Sequence, residues 1–155
     1  MRPLSRKTTI KPQRGGISNA LFIWASIESL PPDLQRIADE ITIHYPWGSL
    51  LHALVAPDLK ALKSIAQLAH SRASLTILIN ISIFEDVEYC QRLGLPILTL
   101  ERVKTIIVPQ YHEIGIEVKH AQVLDRNIPY RTTWGQKLTC GSGRKQILWL
   151  QAIIR

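Results

Sequence analysis

The run LTILINIS, Leu75 to Ser82, carries apolar side chains on both faces of a β-rich stretch. A strand that is apolar on both sides must be covered on both sides, which is the situation of a strand in the middle of a largely parallel α/β sheet. The rest of the chain agrees with that demand. Ala20 to Ser26, ALFIWAS, reads as another buried strand, and Glu40 to Tyr45 alternates Ile41, Ile43 and Tyr45 against Thr42 and His44. Asp33 to Asp39 reads as a short helical turn. Gly48 to Ala56, Asp58 to His70 and Glu85 to Leu93 read as helices, and Gly94-Leu95-Pro96 reads as a stop followed by a further helix-like segment to about His112. Ile116 to Leu124 and Gln146 to Ile154 read as the last two strands. Strands alternating with helices specify an α/β layer fold. No convincing long helix lies in Asp125 to Lys145, so the last two strands are expected to pair antiparallel across a long polar linker.

At 155 residues and 46% hydrophobic content, the chain is one domain's worth and long enough to bury a core. No apolar run approaches the roughly 18 residues of a membrane span, and the opening MRPLSRKTTIKPQRGG is basic without an apolar stretch after it, so a cytoplasmic location is expected. Cys90 and Cys140 have neither the spacing nor the neighbouring histidines of a metal or redox pair and read as ordinary thiols. The histidines His44, His52, His70, His112 and His120 share no metal-ligand spacing and read as surface or cap residues, only His44 lying near the pocket proposed below.

Charge is more informative by position. Residues 1–14 hold Arg2, Arg6, Lys7, Lys11 and Arg14 with no acid, and residues 131–155 hold Arg131, Lys137, Arg144, Lys145 and Arg155 with no acid. The 116 residues between carry 9 basic and 12 acidic groups, so the two ends account for the whole net charge of +7. Two basic segments brought together by a fold would face a polyanion. A solvated basic tail at each end is the plainer alternative, but the second segment runs into the strand-like QILWLQAII and is not a tail.

The most unusual short motif is HYPWGSLL, His44 to Leu51. Pro46 cannot continue a hydrogen-bond ladder and Gly48 permits a close turn, so Trp47 is expected to project at the carboxyl end of its strand. Ligands of open α/β sheets bind at those ends. That rule selects Glu28, the segment His44 to Ser49 and, by extension, the last linker, where Trp134 sits among hydroxyls, glycines and cations (RTTWGQK, GSGRK). Two exposed indoles beside a basic surface suit an unstacked nucleobase, each stack contributing about 1–3 kcal/mol. The same Trp47 folded back over the core is the alternative, and Trp24 and Trp149 lie inside strand-like runs and read as core.

The spacing of KPQRGGISNALFIWASIESLP, ADEITIHYPWGSLLHAL, RLGLPIL and TTWGQKL resembles the aminoglycoside-resistance 16S rRNA (adenine-N1) methyltransferases, which act on the decoding-site adenine 1408. The likeness runs across nearly the whole chain, and YPWGSLL and TTW are its most specific parts. It implies a Rossmann-like, class I S-adenosylmethionine-dependent methyltransferase sheet with an antiparallel last strand. By position it implies that Ile27 and Glu28 approach the adenine end of the cofactor. His44, Tyr45, Pro46, Trp47, Gly48 and Ser49 would line the methyl-transfer pocket, and Thr132, Thr133 and Trp134 would close it. Pro46, Trp47 and Trp134 form the implied catalytic set, the two indoles holding a flipped base. Arg6, Lys7, Lys11, Arg14, Arg92, Lys137, Arg144 and Lys145 would grip rRNA phosphates of the 30S subunit. Ile10 and Gln136 stand where the family has two further lysines.

The family opens with a strand, a Gly-rich loop, a helix and a second strand, and this chain begins after them. A βαβ unit needs about thirty residues, which the basic arm 1–19 cannot supply. The expectation is therefore an arm, 1–19, followed by a partial methyltransferase domain, 20–155, holding strands 3 to 7 of the family fold. The strand at Ile41 to Tyr45 would present an open edge through which a second copy could pair. Three explanations follow: a fragment of an enzyme, a degenerate relative that keeps RNA contacts, or a sheet completed by a partner chain. Methyl transfer and non-catalytic ribosome binding both remain open on the sequence, with methylation of another RNA such as tRNA a third reading.

Overall fold

The computed structural model describes residues 23, 25–125 and 146–155. Among them are four strands, β1 (Ala38–His44), β2 (Ala69–Asn80), β3 (Ile116–Leu124) and β4 (Ile147–Ile154), joined in one sheet of order β1-β2-β4-β3. β1 runs parallel to β2, while β4 lies antiparallel to both β2 and β3. Three strands therefore share a direction and the last is reversed, as the long polar linker predicts. What the sequence did not reveal is that β4 inserts between β2 and β3.

Two helices, α1 (Gly48–Val55) and α2 (Leu59–Gln67), connect β1 to β2, and α3 (Val87–Leu93), α4 (Leu100–Arg102), a π-helical turn (Val103–Ile107) and α5 (Val108–Glu113) connect β2 to β3. Their apolar faces pack on one side of the sheet, where Leu75, Ile77 and Ile79 of β2 meet Leu148, Leu150, Ala152 and Ile154 of β4 in a cluster with Leu51, Leu54, Leu62, Ile65, Ile107 and Tyr111. The period of two along β2 sends Leu78 to the opposite face, where it clusters with Tyr45 and Ile147 and with the partly buried Trp149. Leu75 to Asn80 is buried at every position, so the apolar-on-both-sides reading holds through the end of β2.

Local chemistry explains the element ends. The Asp58 carboxylate accepts from the backbone N–H groups of Lys60 (2.9 Å) and Ala61 (3.5 Å), capping α2. Asp86 does the same for α3 through Tyr89 N–H, and Gly94 ends it in the left-handed region at φ 61°.

Several boundaries differ from expectation. The helix read over Asp58 to His70 stops at Gln67, because Arg36 and Ile37 donate to the carbonyls of Gln67 and Leu68 and Ala69 pairs with Ala38, drawing His70 into the strand. At the far end of β2, Asn80 accepts from Ser82 N–H and starts a 3-10 turn, Ile81–Glu85, which removes Ile81 and Ser82 from the strand and Glu85 from the next helix. The helical turn at Asp33 to Asp39 shrinks to a 3-10 turn at Pro32–Leu34, since Asp39 is already paired into β1. Ile23, Ala25 and Ser26 are exposed and outside any strand, where a buried strand was expected; β2 is the only described strand that pairs with β1, so this stretch has no described ladder partner. The remainder of Ala20 to Ser26 lies outside the described residues.

Candidate active site

β1 ends at His44, and the chain then turns sharply at the carboxyl end of the strand. Tyr45 adopts φ 53° and donates its N–H to the Leu78 carbonyl at 2.8 Å. That left-handed residue breaks the alternation read from the sequence. Ile41 and Ile43 pack on the helix-covered face, whereas Tyr45 is rotated to the opposite face and buried beside Leu78, Ile147 and Trp149. Burial pushes the Tyr45 phenol pKa up and the His44 imidazole pKa down, so both groups favour their neutral forms.

Pro46 is buried behind this turn, and Trp47 follows as the N-cap of α1, 49% exposed. The indole therefore does not fold back into the core. Gly48 takes φ 59°, and a Cβ built there would meet no heavy atom within 4 Å, so its constraint is backbone conformation rather than space. Trp47 offers no side-chain acceptor to the start of α1. The Gly48 N–H instead donates to the phenol oxygen of Tyr89, on α3, at 3.0 Å. The Tyr89 ring also meets the Trp47 indole edge-to-face, with centroids 5.3 Å apart and planes at 72°, and the guanidinium of Arg92 stands 5.4 Å from the Tyr89 centroid.

The structure thus gathers His44 to Ser49 at one strand end and links Arg92 to them through Tyr89. Tyr89 escaped the sequence reading. Its spacing of three from Arg92 on α3 puts both on one helix face, but the partner of that face is forty-one positions away from Tyr89 in sequence. Ile27 and Glu28 lie in a 3-10 turn, Ile27–Ser29, packed along α2. The Ser26 hydroxyl donates to the Glu28 carboxylate and, with a backbone hydrogen bond, holds its pKa below the ordinary carboxylate value. Arg6, Lys7, Lys11, Arg14, Thr132, Thr133, Trp134, Lys137, Arg144 and Lys145 lie outside the described residues. Among the described residues no group of three or more His, Cys, Asp or Glu is arranged to hold a metal, and no helix is long and apolar enough to cross a membrane.

Comparison with known proteins adds a further finding. The profile of a family described as NpmA: 16S rRNA (adenine(1408)-N(1))-methyltransferase matches residues 1–153. A 16S rRNA (adenine(1408)-N(1))-methyltransferase of Escherichia coli is 32% identical over 149 residues, covering 91% of this chain and 66% of that protein. The crystal structure of the aminoglycoside resistance methyltransferase NpmB1 superposes with a TM-score of 0.80 at 35% identity, over 96% of this chain and 68% of that one. A variant of the 16S rRNA (adenine(1408)-N(1))-methyltransferase from Catenulisporales acidiphilia, solved with its cosubstrate SAM, gives a TM-score of 0.78 at 28% identity, covering 96% and 67% of the two chains. The chain spans about two-thirds of the length of these relatives.

Proposed function

Because the chain belongs to the NpmA family of 16S rRNA (adenine(1408)-N(1))-methyltransferases, we propose that it transfers a methyl group from S-adenosylmethionine to N1 of adenine 1408 on the 30S subunit, a modification that makes its host aminoglycoside-resistant. The fold is the Rossmann-like class I methyltransferase sheet with its antiparallel last strand. The observation that carries the proposal is Trp47: an exposed indole at the carboxyl end of β1, on a backbone turned outward by Tyr45 and Gly48.

The residues present fit a nucleoside cofactor. Gly48 leaves its surroundings open where a side chain would otherwise project, and the Glu28 carboxylate suits an amino group such as the exocyclic nitrogen of an adenine. Ile27, Glu28 and His44 to Ser49 would hold it, with Thr132, Thr133 and Trp134 closing the site from the linker. Bound S-adenosylmethionine supplies an electrophilic methyl group. Adenine N1 already carries a lone pair and no proton, so the protein's task is alignment and exclusion of water rather than proton removal. Methylation leaves positive charge on the purine ring. Indole faces at Trp47 and Trp134 would favour that charge, and the buried Pro46 keeps the Trp47 turn rigid. Arg92, with the basic residues of the arm 1–19 and the linker, would contact phosphates and set orientation.

In this reading residues 20–155 form a partial methyltransferase domain, the protein works in the cytoplasm, and β1, paired only with β2 among the described strands, offers an edge for a second copy. The deciding experiment incubates the chain with 30S subunits and methyl-labelled S-adenosylmethionine, then maps modified adenines by primer extension. A stop at 1408 is expected. Tight 30S binding without measurable S-adenosylmethionine affinity would replace this reading with that of an RNA-binding relative.

A further inference from the structure

We infer that Tyr89 is the positioning residue for Trp47, and that it couples the indole to Arg92. The inference rests on the reading of Trp47 as the base-stacking residue. The start of a helix leaves N–H groups without intrahelical acceptors, and a side chain at the N-cap commonly supplies one. Trp47 occupies the N-cap of α1 and supplies none. The phenol oxygen of Tyr89 takes over that role from a different element, accepting the Gly48 N–H at 3.0 Å. The same side chain touches the indole directly, edge-to-face at 5.3 Å. One residue therefore restrains both the backbone next to Trp47 and its ring.

Tyr89 is itself well held. Its N–H donates to the capping carboxylate of Asp86 at 2.9 Å, and its ring packs partly against the core. An aromatic side chain that is half exposed and free to change rotamer would have to be ordered when a base arrives. One already braced loses less freedom on binding. Arg92 stands 5.4 Å from the same ring. A phosphate held by Arg92 and a base stacked on Trp47 would thus share one platform, whose dimensions are set by Tyr89.

The test uses the full chain labelled with 5-fluorotryptophan, the Trp47 fluorine resonance being assigned with Trp47→Phe. Tyr89→Phe removes only the phenol oxygen and keeps the ring, so the Gly48 amide should exchange with solvent about fivefold faster while the Trp47 resonance moves little. Tyr89→Leu removes the ring as well and should shift and broaden the Trp47 resonance alone among the four tryptophans. It should also lower kcat for 30S methylation several-fold with KM for 30S nearly unchanged. Unchanged Gly48 exchange in Tyr89→Phe, or an unmoved Trp47 resonance in a folded Tyr89→Leu, overturns the inference. Should Tyr89→Leu fail to fold, the exchange result in Tyr89→Phe decides. The substrate-free spectra judge Tyr89 separately from the functional reading, which fails if Trp47→Ala methylates at the normal rate.

Discussion

The phenol of Tyr111, on α5, donates to the main-chain carbonyl of Leu54, on α1, at 3.0 Å in the fully buried interior. Leu54 lies in the last turn of α1, where carbonyls lack helical partners. With Tyr89 at the first N–H and Tyr111 at a terminal carbonyl, the helix that begins at Trp47 is fastened at both ends by tyrosines from later in the chain.

Tyr111→Phe leaves the Leu54 carbonyl buried without its donor. The expected loss is about 1–3 kcal/mol of folding stability, measurable by urea denaturation. Burial also pushes the Tyr111 pKa far above that of a free phenol. Folded Tyr111 thus holds its proton more tightly than the unfolded chain does. Its contribution is complete below about pH 10 and is lost as pH rises beyond it, a decline that Tyr111→Phe should flatten.

Trp47→Ala and Trp134→Ala should each abolish most methylation while leaving 30S binding largely intact. A lost stack of about 1–3 kcal/mol corresponds to a rate loss of about 5- to 150-fold. Methyl incorporation against 30S concentration makes the measurement. Full activity in both variants would end the base-sandwich reading.

His44 should titrate with a midpoint below the ordinary histidine value of about 6.5, because burial disfavours its charged form. A depressed imidazole pKa means the unfolded chain takes up the proton first. Stability is therefore full above about pH 6.5 and declines as pH falls through the folded pKa. NMR titration of the ring protons reads the midpoint, and His44→Gln should reduce the acid-side slope.

Lys11→Glu should weaken 30S binding and lower the slope of log affinity against log salt by about one, the amount expected for one lost phosphate contact. An unchanged slope would remove Lys11 from the RNA-facing set.

Much of the fold was legible because its signals are local. The two-sided apolarity of Leu75 to Asn80, the Asp58 cap and the Gly94 stop each act within a few residues, and each produced the expected element. Trp47 was legible for the same reason, since Pro46 and Gly48 dictate the turn around it. Long-range facts were not. No local pattern tells that β4 enters between β2 and β3, that the left-handed backbone at Tyr45 sends its ring to the opposite face from Ile43, or that Tyr89 reaches Gly48. Ile27 and Glu28 were placed by analogy of position, and their packing along α2 depends on a turn whose partners are distant in sequence.

Since β4 joins β2 to β3, the seam of the described sheet is the last of its strands to be translated. A nascent chain stalled before Ile147 holds the β1–β2 pair on one side and a solitary β3 on the other, with nothing to zip them together. Such long-range pairing is slow, so the sheet stays half-built until residues 147–154 are available to close it.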